Sequence, residues 1–265
     1  MPDPFDSSYR KLERAEKHFN DLDAKVRAFV NGSPYHEVVE PHPEMPDHVI
    51  HKVKPRGELS SDFDDMGDAF GEFVQNLRAA LDNTGYAIAV AIGKPDAKNC
   101  NFPFARSIDQ MINAVGRCAD LPREIQSLFC GFQPYLGGDD LLFAVNEACN
   151  TDKHKLAVPL FNVFIPSGIA VGGTRFFQMP LHHKWDSAKN EMELFTVGPP
   201  VRDASGSSPQ KDFEYNLQFK VFIACDKIEG VVGQPILGVT HAMGCKVHGI
   251  IRAIEAESRR LGIVK

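Results

Sequence analysis

The sequence predicts an α+β fold from three observations. Apolar residues recur at helical spacing through most of the first 155 positions, a period of two takes over from about Leu156, and a last helical pattern closes the chain. Helices early and strands late are segregated rather than alternating, which is the α+β arrangement. The expected organisation is a mainly helical part with an early hairpin over 1–158 and an antiparallel sheet plus C-terminal helix over 159–265, joined as one compact unit. With 265 residues the chain is long enough to bury a sizeable core.

Each element has its own warrant. Over 5–30, Phe5, Leu12, Ala15, Phe19, Leu22, Val26 and Phe29 fall on one helical face. Between Tyr35 and Lys54, short apolar runs flank "PHPEMPD", as in a hairpin with a Pro-rich loop. Ser60 or Ser61 then caps a long helix to about Ile92, with Phe70, Phe73, Val74, Leu77, Leu81, Thr84 and Ile88 as its apolar stripe. Beside that stripe lie Gly71, Arg78, Asp82, Gly85 and Ala89. The small residues admit another backbone, and Arg78 and Asp82 stand four apart.

"NFPF" reads as extended, "SIDQMINAVGRC" as a short helix, and "LPREIQSLFCGF" as another with proline in its first turn. Asp139 or Asp140 caps the helix that follows "QPYLGG". "LAVPLFNVFIPSGIAVGG" reads as buried strands with a turn at Pro166 to Gly168, since its prolines, Asn162 and Ser167 do not suit a membrane span. "FEYNLQFKVFI" alternates strictly, with "TRFFQM" and "NEMELFTV" expected as its antiparallel neighbours and "GPPVRDASGSSPQK" as a loop. The last helix is expected over 241–261.

Composition narrows the function classes. A net charge of -6 argues against a general grip on nucleic-acid backbone, while leaving room for a local basic site. Six cysteines without a C-x-x-C pair imply reduced, mostly buried thiols, and "MPDPFDSSYRK" has no apolar h-region, so cytoplasmic residence is expected. "GVVGQPILG" lacks the Lys-Ser/Thr of a phosphate loop, and no cofactor is implied. The expected partner is a small molecule or a nucleic acid at a local site, not a membrane; the sequence leaves the oligomeric state open.

One polar constellation can carry chemistry. "NEACNTDKHKLAVPLF" places Asn150, Asp152, Lys153 and His154 against a run apolar enough to be core. If the helix continues past Asn150, Asp152 falls on its core-facing stripe and needs a cation, for which Arg78 is suited by its bidentate fork. The alternative is a break near Asn150, with Asp152 capping a second short helix. Asn146, Asn150 and His154 recur every four residues. A histidine there can act as general acid or base, with Lys153 or Arg78 stabilising negative charge and Asn150 or a carboxylate orienting the ring. The candidate catalytic set is therefore His154, Lys153, Arg78, Asp152, Asn150 and Asp82, working without metal. The same groups can equally form a structural network where helices cross.

The order "LRAALD" at 77–82, "FPF" at 102–104, "QPY" at 133–135 and "NTDKHK" at 150–155 resembles a group of bacterial proteins of unassigned activity that share these signatures. The helical part is also similar to HEPN-type bundles, in which an R-x4-6-H motif on one helix cleaves RNA without metal. Here the positions an arginine would take before His154 hold Cys149, Ala148 and Glu147. The resemblance therefore implies ribonuclease chemistry only if Arg78 substitutes from another helix.

Other clusters carry less. His36, His42, His48 and His51 stand beside Glu37, Glu40, Glu44 and Asp47 in the hairpin, a composition that suits a divalent metal but also a solvated turn, without strict ligand spacing. His182 and His183 are adjacent in a strand-like stretch and point to opposite faces. The basic "ESRRLGIVK" reads as a solvated last helical turn. Two readings follow: an acid/base enzyme acting on a phosphodiester or nucleotide, and a non-catalytic binding or interaction protein.

Overall fold

The computed structural model describes residues 3–154, 160–172, 175–178, 185–186, 188–200 and 214–264, with side chains described except at 152–172, 175–178, 200 and 214–221. In chain order the elements are α1 (Asp6–Asn31), β1 (Tyr35–Pro41), β2 (Val49–Pro55), α2 (Ser60–Ala91), α3 (Ile108–Ala114), a 3-10 turn (Val115–Cys118), α4 (Arg123–Gly131), α5 (Asp140–His154), β3 (Leu160–Gly172), β4 (Arg175–Gln178), β5 (Trp185–Asp186), β6 (Glu191–Pro200), β7 (Glu214–Cys225) and α6 (Ile236–Arg260). The fold is α+β. Two compact units are interleaved along the chain, one from 1–26, 62–163 and 222–265, the other from 27–61 and 164–221. Among the described residues, no helix is long and apolar enough to cross a membrane.

In the first unit the stripe of α2 is buried as its spacing requires, from Phe70 to Ile88. Thr84 lies within it because its hydroxyl donates to the Ala80 carbonyl at 2.8 Å and meets the Ser8 hydroxyl of α1 at 3.0 Å. The small flank is used at Gly85, where a Cβ would lie 1.8 Å from the Cys100 carbonyl oxygen, so only glycine lets the extended segment pass. That segment brings Phe102 into contact with Phe104 and Phe129, an aromatic cluster in the core.

α5 starts where its cap dictates. The Leu142 N–H donates to Asp139 Oδ1 at 2.9 Å, and the other carboxylate oxygen of Asp139 takes Lys246 of α6 at 2.7 Å. The helix then runs unbroken through Asp152 to His154, the first of the two alternatives for this stretch. α6 begins at Ile236, five residues before the expected start at 241. Pro235 precedes its first residue and supplies the fixed φ that opens a helix, so "ILGVT" joins it despite Gly238.

In the second unit the hairpin β1–β2 is antiparallel, from Tyr35 opposite Pro55 to Pro41 opposite Val49. It forms part of the larger sheet, whose order is β1-β2-β6-β4, with β5 also paired to β6. Tyr35, Val53, Met192, Leu194, Phe195 and Val197 form its core.

Two expectations about pairing need correction. "NEMELFTV" pairs with β2 and β4, whereas "FEYNLQFKVFI" pairs with β3. Alternation fixes which face of a strand is apolar, not which strand lies beside it. β3 also runs without a break from Leu160 to Gly172, in place of the turn expected at Pro166 to Gly168. A two-stranded sheet leaves each strand one unpaired side, where a proline without an N–H is tolerated.

Candidate functional site

α2 and α5 carry the polar residues that meet in the first unit. Arg78, 14% exposed, is held from three directions. Its Nε donates to Asp82 Oδ2 at 3.1 Å, one turn along α2. An Nη1 hydrogen bond reaches the Asn146 side-chain oxygen of α5. Its guanidinium carbon also lies 4.3 Å from the centre of the Phe104 ring. Asp82, 29% exposed, is divided in turn, since its second oxygen accepts the Phe102 N–H at 2.9 Å. The pair thus fixes a guanidinium and also pins the extended segment that passes Gly85.

Arg78, expected to pair with Asp82 or Asp152, pairs with Asp82. The carboxylate is Asp82 because i,i+4 spacing on one helix puts the two side chains side by side. Charge-assisted bonds to an oriented fork give this arginine a defined direction.

These residues form one wall of a cleft of about 340 Å³. α5 contributes Asn146, Glu147 and Asn150, the segment before α3 contributes Phe104 and Arg106, and Gln110 and Arg117 also line it. Three guanidiniums face two carboxylates, one of which is already engaged by Arg78. Arg106 pairs with Glu229 at 2.6 Å where both are exposed, a contact that water screens. Among the described residues, the Arg117 guanidinium and the Glu147 carboxylate have no hydrogen-bond or ion-pair partner.

Of the sequence-predicted set, the structure brings Arg78, Asp82 and Asn150 to this cleft. Asp152, Lys153 and His154 occupy the last turn of α5, and their side chains lie outside the described residues. Their positions are still informative. Asn146 and Asn150 line the cleft four residues apart on an unbroken helix, and His154 is the next position on that arc. Sequence reasoning missed Arg106, Gln110, Arg117 and Glu147. Glu147 had a signal, since it adjoins Asn146 on the arc already singled out, whereas Arg106 and Arg117 arrive through long-range packing without a local pattern.

The lesser clusters resolve as local structure. His51 Nδ1 lies 2.5 Å from Glu37 Oε1, and its ring stacks on Phe195 at 4.4 Å. His42 Nδ1 accepts the N–H groups of Glu44 and Met45, shaping the loop. Lys52 and Lys54 each bridge Glu40 and Glu191. Hydrogen bonds from Lys52 and then Lys54 hold the Glu40 carboxyl down to about 2, and a Lys52 hydrogen bond is the main cause that lowers Glu191. Among the described residues, no group of three or more His, Cys, Asp or Glu stands where it could hold a metal ion. His182 and His183 lie outside the described residues. Arg259 and Arg260 in the C-terminal basic stretch pair with Glu255, Asp3 and Glu257.

Comparison of the chain with family models, with curated proteins and with solved structures finds no match.

Proposed function

We propose that the cleft between α2 and α5 binds a phosphate-bearing ligand, a phosphodiester or nucleotide, and acts on it by acid/base chemistry centred on α5. The observation that carries this reading is the three-point restraint of Arg78 at the wall of a cleft that also holds Arg106 and Arg117. A pre-oriented guanidinium recognises a phosphate without first losing side-chain freedom, and it stabilises negative charge developing at phosphorus. Asn146 and Asn150 add amide groups that can orient the ligand. His154, next on the same arc, is the assigned general acid or base, and Glu147 is a second group able to accept a proton.

A second reading is favoured by one specific observation. Asp82 uses both oxygens on protein partners, Arg78 and the Phe102 N–H, as a structural cross-link would. In that reading the protein binds its ligand without turnover.

Turnover of RNA, single-stranded DNA and nucleoside monophosphate esters in EDTA separates the two. The enzymatic reading expects product release with a pH-rate limb near the ordinary imidazole pKa, about 6.5, lost in His154→Ala while the melting temperature holds. Turnover that requires a divalent ion, or that survives His154→Ala, overturns the assignment of His154. Phosphate binding without turnover on any substrate leaves the binding-protein reading.

A further inference from the structure

Glu147 lines the arginine cleft beside three guanidiniums, yet among the described residues its carboxylate pairs with none of them. It is half-buried on an unbroken helix, where a carboxylate partly removed from water and left without a partner is costly. A ligand that reaches it from within the cleft would supply the missing hydrogen bonds. The cleft volume of about 340 Å³ lies within the range of small-molecule sites, roughly 300–1,000 Å³.

The neighbouring side chain is already oriented. Asn146 gives its amide oxygen to the Arg78 guanidinium, which leaves the N–H groups of the same amide to donate. Acceptor and donor therefore stand on adjacent residues of α5, both in the wall of the cleft.

That set selects among ligand groups. Three guanidiniums repel an ammonium, so the group that meets Glu147 donates hydrogen bonds without carrying positive charge. A nucleobase has this character. Guanine presents N1–H and N2–H side by side, matched to the two oxygens of one carboxylate, with O6 next to them to accept from an amide. Adenine and cytosine place a ring-nitrogen acceptor beside the amino group, and uracil flanks its single N–H with two carbonyl oxygens. Each of these turns a lone pair towards the carboxylate and is disfavoured.

We propose that Glu147 reads the N1–H and N2–H edge of guanine while Asn146 donates to O6, so that the ligand of the arginine cleft is a guanine nucleotide. Arg78, Arg106 and Arg117 take its phosphate. The inference rests on the phosphate reading of this cleft and goes beyond it, since phosphate binding alone selects no base. Glu147 is then a recognition group, and proton transfer stays with His154.

Calorimetric titration of the full chain with GMP, IMP, AMP and pyrophosphate tests this. IMP differs from GMP only in lacking the 2-amino group. GMP should bind at least about tenfold more tightly than IMP or AMP, the discrimination a bidentate pair provides. Glu147→Gln keeps the shape but replaces one acceptor by a donor and removes a negative charge. GMP affinity should then fall at least about tenfold, to the level of IMP, while pyrophosphate binds at least as tightly as before because a like charge is gone. A carboxylate that is merely solvated would leave GMP and pyrophosphate responding in the same direction. Equal affinities for GMP and IMP in wild type, or a guanine preference that survives Glu147→Gln, would overturn the proposal while pyrophosphate binding upholds the phosphate site. Failure of wild type to bind pyrophosphate or any of the nucleotides would overturn both.

Discussion

Replacing Arg78 by alanine removes three restraints at once, of which the Asp82 bond and the Phe104 contact can be sized, while the half-buried Asn146 amide can turn to water. The Nε bond to Asp82 at 3.1 Å is charge-assisted and contributes about 1.5–3 kcal/mol. The Phe104 contact adds about 0.5–2 kcal/mol, towards the upper figure at a mostly buried site. Against this, Asp82 is 29% exposed and keeps the Phe102 N–H, so the stranded carboxylate is partly rehydrated, and the cost falls short of the roughly 3–5 kcal/mol of a fully buried pair. The expected loss is about 2–3 kcal/mol. Urea titration followed by helical circular dichroism measures it, since Arg78 lies in the unit that holds nearly all the helix. Fluorescence of the single tryptophan, Trp185, packed edge-on against Tyr35 at 5.7 Å, monitors the other unit separately. A loss below about 0.5 kcal/mol, the scale of an exposed ion pair, would refute the reasoning.

Gly85→Ala should cost about 3 kcal/mol or prevent folding, because the new Cβ would meet the Cys100 carbonyl; a urea midpoint within error of wild type would contradict the close approach. Asp139→Ala should lose about 1 kcal/mol through the uncapped Leu142 N–H, and Asp139→Asn should recover most of it in the same assay. The sheet unit should weaken in acid. Glu40 has its carboxyl held at about 2 against an ordinary 4.5, so the stability it contributes is present above about 4.5 and is lost as pH falls towards 2. Lys52→Met should flatten that acid dependence of Trp185 unfolding, and an unchanged slope would show that the Lys52 contacts do not set it.

What was legible in the sequence was local. Helical spacing placed α1 and the buried stripe of α2, and the i,i+4 relation of Arg78 and Asp82 made Asp82 one of two carboxylates, with Asp152, expected to pair with Arg78. Gly85 was readable as a point of close approach because a bare Cα on a helix flank invites a neighbouring backbone. Its partner was not readable. Nothing near Asp82 announces that the Phe102 N–H, twenty residues on, takes its second oxygen, or that Asn146 closes on Arg78 from a helix 68 residues away. Arg106 and Arg117 reach the cleft through packing of short elements whose polar residues follow no period. The sheet shows the same division, since the local pattern marked "NEMELFTV" as a strand while its pairing with β2 depended on tertiary contacts.

Calorimetric titration of the intact protein with inorganic pyrophosphate tests the central claim most directly. Wild type should bind one equivalent, more weakly as ionic strength rises, and Arg117→Ala, which alters an exposed side chain, should weaken binding at least about tenfold without shifting the helical melt. No binding at low salt, or the same affinity in Arg117→Ala as in wild type, would contradict a phosphate site in the cleft of Arg78 and Asn150.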